Sequence, residues 1–214
     1  MIDALMIDAE VFFNDVSAYN VSIFPMQIVT LVVAVILTYL LLVKPSTAVN
    51  KLIKIYLSFT FVWLVFMFPF EGFFKIVFGL LHLAIAILFF IDIFTGKIEF
   101  KFPETSGKRY FMFFLIFSAF ALYPLIEYMS GHLYPKILLF GVAPCPTTIF
   151  SLALLIGAVP KVGKIIFILL IFPAIFSGLS VPIMLGVWAD LLLLFTGVYG
   201  LITLIKNWKL IGKG

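Results

Sequence analysis

Long apolar stretches separated by short polar ones dominate the pattern of hydrophobic and polar positions along the chain. A helix needs about 20 mostly apolar residues to cross the hydrocarbon core of a bilayer, so these stretches predict membrane-spanning helices. The predicted spans are Met26–Val43, Ile55–Phe70, Phe73–Phe94, Phe111–Met129, a fifth that ends near Val159, Ile165–Val181 and Val187–Ile205. The last two come from one long apolar stretch that divides around Pro182–Gly186. The pattern predicts an all-α polytopic transmembrane helix bundle of about seven spans.

The distribution of positive charge supports this assignment of seven spans. Seven spans place alternate loops on opposite faces, and one face then receives 12 of the 14 Lys and Arg residues. These are Lys44, Lys51, Lys54, Lys97, Lys101, Lys108, Arg109, Lys161, Lys164, Lys206, Lys209 and Lys213. The other face receives Lys75 and Lys136. Because Lys and Arg in short loops accumulate on the cytoplasmic side, we expect the N-terminus outside and the C-terminus inside.

The chain divides into three predicted parts. Residues 1–24 contain Asp3, Asp8, Glu10 and Asp15 but no Lys or Arg, and should lie outside the membrane. Their apolar residues Leu5, Ala9, Phe12 and Val16, at helical spacing, favour an amphipathic helix on the outer interface, with a frayed acidic tail as the alternative. Residues 25–206 form the seven-span domain, and residues 207–214 form a basic cytoplasmic tail.

The composition agrees with a membrane protein. Hydrophobic residues make up 64% of the 214 residues and charged residues only 11%, against about 25% charged in soluble domains. So few charges cannot cover a water-soluble domain. The sequence therefore predicts a multi-pass protein of the cell membrane, with the lipid bilayer as its partner. It contains no basic patch with interleaved aromatic residues that would favour nucleic acid, and it predicts no cofactor. The oligomeric state stays open.

The fifth span is unusual because two prolines interrupt its outer end. A helix from Thr147 to Val159 would cover about 20 Å of a core about 30 Å thick. Pro144 and Pro146 donate no backbone hydrogen bond, so the outer third of the span should not be helical. Interrupted helices of this kind line binding sites in many transporters. The alternative is a short helix that begins with proline and whose threonine hydroxyls bond only to the local backbone.

Several short sequence motifs resemble the signature of an uncharacterised family of prokaryotic multi-pass membrane proteins. They are Gly131-His132-Leu133-Tyr134-Pro135, Phe140-Gly141 with Pro144-Cys145-Pro146-Thr147-Thr148-Ile149-Phe150, and Ala18-Tyr19-Asn20 with Pro25-Met26-Gln27. The similarity runs the length of the chain, although Phe24 stands where such relatives tend to have Trp. The family is one of unknown function, so the resemblance supports the threading and implies no activity.

On the seven-span map most polar groups within or near the spans fall at the outer mouth of the bundle. This candidate substrate site comprises Tyr19, Asn20, Gln27, Glu127, His132, Tyr134, Cys145, Thr147, Thr148 and Asp190. Ionisable groups inside a membrane are costly and commonly functional. Glu127 and Asp190 could alternatively lie among the lipid headgroups. Deeper in the third span, we expect His82 to bond to a hydroxyl or backbone group of another span, and Asp92 to pair with Lys97.

The sequence excludes several function classes and leaves three open. The last span contains no lysine for a retinal Schiff base, the two histidines lie at different depths, and P-loop, HExxH and GxSxG motifs are missing. The first hypothesis is a transporter or channel for a small solute or ion, with an outward-facing site at the broken fifth helix. The substrate could be an anion, a cation or a soft metal. The second is a thiol-dependent membrane enzyme or redox protein that uses Cys145. The third is an accessory or structural membrane subunit.

Overall fold

The computed structural model describes residues 8–69 and 72–212. Within these residues all regular structure is helical, and no strand occurs. The eight helices are α1 (Ala9–Ser22), α2 (Met26–Val43), α3 (Thr47–Met67), α4 (Gly72–Thr95), α5 (Ser106–Met129), α6 (Pro144–Ala158), α7 (Lys164–Leu185) and α8 (Asp190–Lys206). The all-helical prediction is therefore confirmed for the described residues.

Five of the helices described are long and apolar enough to cross a membrane, namely α2, α3, α4, α5 and α7. The apolar helix α6 has only 15 residues and α8 has 17. The predicted second span was too short at its start, because α3 already begins at Thr47. Ser46 caps it, since its Oγ accepts a hydrogen bond from the N–H of Val49 at 3.2 Å.

Helix α6 lies at the centre of the bundle. Thirteen of its 15 residues are buried, and it packs against α3, α5, α7 and α8. It begins at Pro144 and not at Thr147, because both prolines fit into the first turn, where a backbone N–H has no helical partner. At about 22 Å it still falls short of a hydrocarbon core about 30 Å thick. The preceding residues 130–143 form turns and irregular backbone.

Helix α5 contains one wider turn near its end. Residues Ser118–Leu122 are π-helical, and the N–H of Tyr123 donates to the carbonyl of Ser118, five residues back. Pro124 follows directly and has no N–H to continue the regular pattern. The inserted turn rotates the last two turns of α5, and Tyr123 and Glu127 are buried there.

A buried ion pair joins α3 to α4. Lys54 Nζ lies 2.7 Å from Asp92 Oδ2, and both side chains are almost fully buried. The same carboxylate accepts hydrogen bonds from the backbone N–H groups of Lys97 and Ile98. The expected pairing of Asp92 with the Lys97 side chain was wrong. Lys51, one turn earlier on α3, is exposed, whereas the side chain of Lys54 is buried and its ammonium group reaches Asp92 on the neighbouring helix.

Residues 8–25 are ordered against the bundle. Helix α1 buries Phe13, Val16, Tyr19 and Asn20 on one face, and Asp8 caps its first turn by accepting from the N–H of Glu10 at 2.8 Å. Residues Ala9–Ser22 are thus helical, while the predicted positions Asp3 and Leu5 lie outside the described residues. At the other terminus Ile211 is buried, and Lys164 Nζ lies 4.5 Å above the Trp208 ring.

Replacing Gly178 with alanine should destabilise the bundle by about 1–3 kcal/mol, because α7 and α8 cross closely at this glycine. A Cβ at Gly178 would lie 2.6 Å from the backbone nitrogen of Leu194 and 2.7 Å from its Cα, so the helices would have to separate. The free energy of unfolding in detergent micelles measures the effect. Gly79→Ala on α4 is the matched control, because a Cβ there meets nothing within 4 Å. Equal stability of the two variants would contradict the close crossing.

Candidate functional site

Five polar side chains meet where α5, α6 and α8 come together, and we call them the carboxyl cluster: Tyr123, Glu127, His132, Cys145 and Asp190. Tyr123 and Glu127 are four residues apart on α5, so they share one face of that helix. Cys145 is the second residue of α6, and Asp190 is the first residue of α8. Apart from His132 these residues are buried, and no part of Glu127 or Asp190 is exposed.

Asp190 joins the three helices through its carboxylate. Its Oδ1 accepts a hydrogen bond from the hydroxyl of Tyr123 at 2.6 Å, and its Oδ2 accepts one from the thiol of Cys145 at 3.4 Å. Neither Asp190 nor Glu127 forms an ion pair with Lys or Arg among the described residues. A buried carboxyl without a cationic partner is costly in a bundle of this apolarity.

Glu127 is bonded to the loop that follows α5. Its Oε2 lies 3.1 Å from Nδ1 of His132, and Phe13 of α1 stacks on the imidazole at 4.0 Å between ring centroids. The other oxygen, Oε1, is buried and has no hydrogen-bond partner of normal geometry in the part of the chain that is described. The backbone amide of Ala189 and the carboxyl of Asp190 both lie within electrostatic reach of Glu127. The two carboxyl groups therefore form one electrostatic unit.

His132 is the member of the cluster nearest to water, with 18% of its side chain exposed. It lies in the loop between α5 and α6, outside the helices. Partial burial lowers the pKa of His132 below its ordinary value and so favours the neutral imidazole. A neutral imidazole carries one proton and one lone pair, and can pass a proton in either direction.

Three of the predicted site residues hold backbone in place and do not belong to this cluster. Tyr19 donates from its hydroxyl to the carbonyl of Val142 at 2.9 Å. Asn20 donates from its amide to the carbonyls of Pro135 and Ile137, at 2.7 Å each. Gln27 donates to the carbonyl of Asn20 at 2.6 Å. These bonds fix α1 and the start of α2 against the irregular segment before α6.

Thr147 and Gly141 shape the same irregular segment. The hydroxyl of Thr147 donates to the carbonyl of Ala143 and accepts from the N–H of Gly141 at 3.1 Å. Gly141 has φ of +79°, and a Cβ there would lie 2.5 Å from Oγ1 of Thr30, so only glycine fits. Tyr134 stays largely exposed, at 55%, and is not part of the cluster.

A cavity of about 120 Å³ lies beside the first turn of α6. Four phenylalanines contribute to its walls: Phe12, Phe68, Phe78 and Phe176. The polar residues that line it are His82, Cys145, Thr148, Ser177 and Ser180. Its surface is almost wholly apolar, and no Lys or Arg lines it in the described residues. Cys145 lines the cavity and also belongs to the carboxyl cluster. Because its thiol bonds to Asp190, the carboxylate of Asp190 lies directly behind one wall of the cavity.

His82 and Tyr123 complete the description of the surroundings of the site. Nδ1 of His82 lies 2.5 Å from the carbonyl of Phe78 on its own helix and its ring stacks against Phe61 of α3, and the expected bond to a group of another span stays a prediction. Tyr123 was not among the predicted site residues, although it makes the shortest bond to Asp190. A tyrosine before an in-span proline, one turn from Glu127, was the available signal.

The His, Cys, Asp and Glu side chains of the described residues do not form a metal centre. No group of three or more His, Cys, Asp or Glu residues is close enough to hold a metal ion among the described residues. The thiol of Cys145 is also buried against a carboxylate, whereas reactive thiolates lie in partly exposed and electropositive surroundings. The arrangement therefore favours binding over thiol chemistry.

Fold and composition together place this protein in the class of helical membrane proteins, since five of the described helices are long and apolar enough to span a bilayer. The chain belongs to the family of unknown function DUF6064, which matches residues 9–212. The family resemblance drawn from the sequence is thus confirmed, and it carries no activity with it. No curated protein and no solved structure matches the chain.

Proposed function

We propose that this protein transports a small organic cation across the cell membrane and binds it in the cavity beside the first turn of α6. The observation that carries the proposal is the position of an aromatic cavity directly in front of a buried carboxyl pair. Interrupted or short helices whose ends meet a cavity are a recurrent feature of transporter binding sites. Helix α6 has this form, because irregular backbone precedes it and its first turn lines the cavity.

The substrate class follows from the walls of the cavity and the charges behind them. Phenylalanine faces attract a cation through their quadrupoles, and quaternary ammonium groups are the ligands that aromatic cages recognise. Asp190 and Glu127 supply negative electrostatic potential behind the wall of the cavity, which attracts a cation and repels an anion. A cavity of about 150 Å³ binds benzene, so a space of 120 Å³ suits a compact ligand of about five or six non-hydrogen atoms. Tetramethylammonium has this size and charge.

The proposal also includes seven crossings with α1 on the outer side. Two observations support it. Positive charge is unevenly distributed along the chain, and contacts bring together those connecting segments that the arrangement places on the same side of the membrane. Helix α1 bonds to residues 135–142, whereas Lys161 pairs with Glu99 and Asn50 bonds to Phe100. Only Lys75 and Lys136 of the 14 positive residues fall on the side of α1 in this arrangement.

Proteoliposomes should take up radiolabelled tetramethylammonium in a saturable manner and above the level of protein-free liposomes. Phe68→Leu should weaken the apparent affinity about fivefold, because one aromatic face contributes about 1 kcal/mol to cation binding. Phe66→Leu is the matched control, since Phe66 is 74% exposed, two residues away, and does not line the cavity. Uptake equal to that of empty liposomes, or equal loss in both variants, would contradict the proposal.

A further inference from the structure

We infer that Glu127 and Asp190 form a proton-binding pair that exchanges with water on the α1 side through His132. The coupling of this proton to a solute rests on the proposed function, whereas the existence of the proton site does not. Three observations carry the inference: the bond between His132 and Glu127, the bonds of Asp190 to Tyr123 and Cys145, and the burial of Glu127 one turn after Tyr123 on the same helix.

The buried pair needs a proton because its surroundings supply no positive charge. The ionisable groups that face Glu127 are His132 from the following loop, Asp190 from α8, and Tyr123 from its own helix. Cys145 of α6 also faces the pair. None of these brings a permanent cation. Two like charges that share an apolar site repel each other and have lost their hydration, so one shared proton lowers the energy of the pair.

The unpartnered oxygen of Glu127 indicates that this carboxyl is the one that takes the proton. Oε1 is fully buried and has no hydrogen bond of normal geometry among the described atoms, although the backbone amide of Ala189 lies near this carboxyl; Oε2 faces His132. A buried carboxylate oxygen without a donor is unusual in a native structure and calls for a reason. Protonation of this carboxyl would remove the uncompensated charge.

His132 provides the route to water because its side chain is partly exposed and contacts Glu127 directly. In the transfer step, the proton on Nδ1 passes to Oε2 of the Glu127 carboxylate while Nε2 takes a proton from a hydronium ion, which becomes a neutral water molecule. The imidazole ends neutral, in the opposite tautomer, and one proton has moved from water to the carboxyl. Phe13, stacked on the ring, holds the imidazole in position for this exchange.

Infrared difference spectra of the reconstituted protein, recorded between acidic and neutral pH, test the pair directly. The wild type should show a carboxylic-acid C=O band that Glu127→Gln and Asp190→Asn each diminish. Glu99→Gln is the control, because Glu99 is half-exposed and paired with Lys161 far from the cluster. Identical spectra for the wild type and both cluster variants, or loss of the same band in Glu99→Gln, would overturn the inference.

The role of His132 is tested by the rate of proton uptake after a pH jump, followed with a pH indicator. His132→Asn should slow uptake by the buried carboxyls about 100-fold, the usual contribution of a positioned acid–base group, and should leave their infrared band in place. An unchanged rate would overturn the proposed route. Adding tetramethylammonium to the wild type then separates the two proposals. Proton release supports the coupling of the proton site to the solute, whereas an intact carboxyl band without release contradicts this coupling and leaves the proton site in place.

Discussion

Replacing Lys54 with methionine should destabilise the protein by about 3–5 kcal/mol, because it leaves the buried carboxylate of Asp92 without its charge partner. Lys54 also donates to the backbone carbonyl of Asp92 at 3.2 Å, so the change removes a second bond between α3 and α4. The free energy of unfolding in detergent micelles is the measurement. This is the largest effect on stability that we expect from a single substitution outside the cluster.

Two comparisons isolate the ion pair from the loss of a lysine as such. Lys51→Met, one turn earlier on α3 and exposed, should change stability by no more than about 0.5 kcal/mol. The double variant Lys54→Met with Asp92→Asn should recover part of the loss, since no buried charge remains and the amide oxygen can still accept from the loop. Equal stability of the Lys54 and Lys51 variants would show that the pair is not buried as described.

Replacing Asp190 with asparagine should weaken the binding of tetramethylammonium at least about 30-fold and leave the helical fold intact. Asparagine keeps the shape of the side chain and an oxygen that can accept from Tyr123, but it removes the charge behind the cavity wall. Truncating one partner of a buried charge interaction costs about 2–5 kcal/mol, from which this factor follows. Calorimetric titration of the purified protein in detergent gives the affinity, and circular dichroism gives the helix content.

Asp15→Asn is the matched control for this experiment. It makes the same chemical change on α1, at a half-buried position that belongs neither to the cavity nor to the cluster. Its affinity for tetramethylammonium should equal that of the wild type. A similar affinity in Asp190→Asn and the wild type would remove the carboxylate from the binding site.

The sequence predicted much of the fold because helix length and apolarity are local properties. The first span, Met26–Val43, has the bounds of α2, and the division of the last apolar stretch agrees with the left-handed Gly186 that ends α7. The partner of Asp92 was not predictable in this way. Which turn of α3 faces α4 depends on how the helices pack, and Lys54 and Asp92 are 38 residues apart in the chain.

For the candidate site, the sequence indicated a group of residues but not how it divides. Glu127, His132, Cys145 and Asp190 come together, whereas Tyr19, Asn20, Gln27 and Thr147 bond to the backbone of the segment before α6. Both sets are polar residues near span ends, and hydropathy treats them alike. Tyr123 reaches Asp190 because the π-helical turn changes the helix face on which Tyr123 lies. A prediction from the sequence that assumes a regular α-helix places this residue on a different face.

The central claim, that a small cation binds in the aromatic cavity in front of the carboxyl pair, is tested most directly by locating the ligand. Tetramethylarsonium has the shape and charge of tetramethylammonium and contains an anomalous scatterer. Anomalous difference density from crystals that hold it should show a peak between Phe12, Phe68 and Phe78, next to Cys145, and Asp190→Asn should remove that peak. Density elsewhere, with an empty cavity in the wild type, would contradict the account.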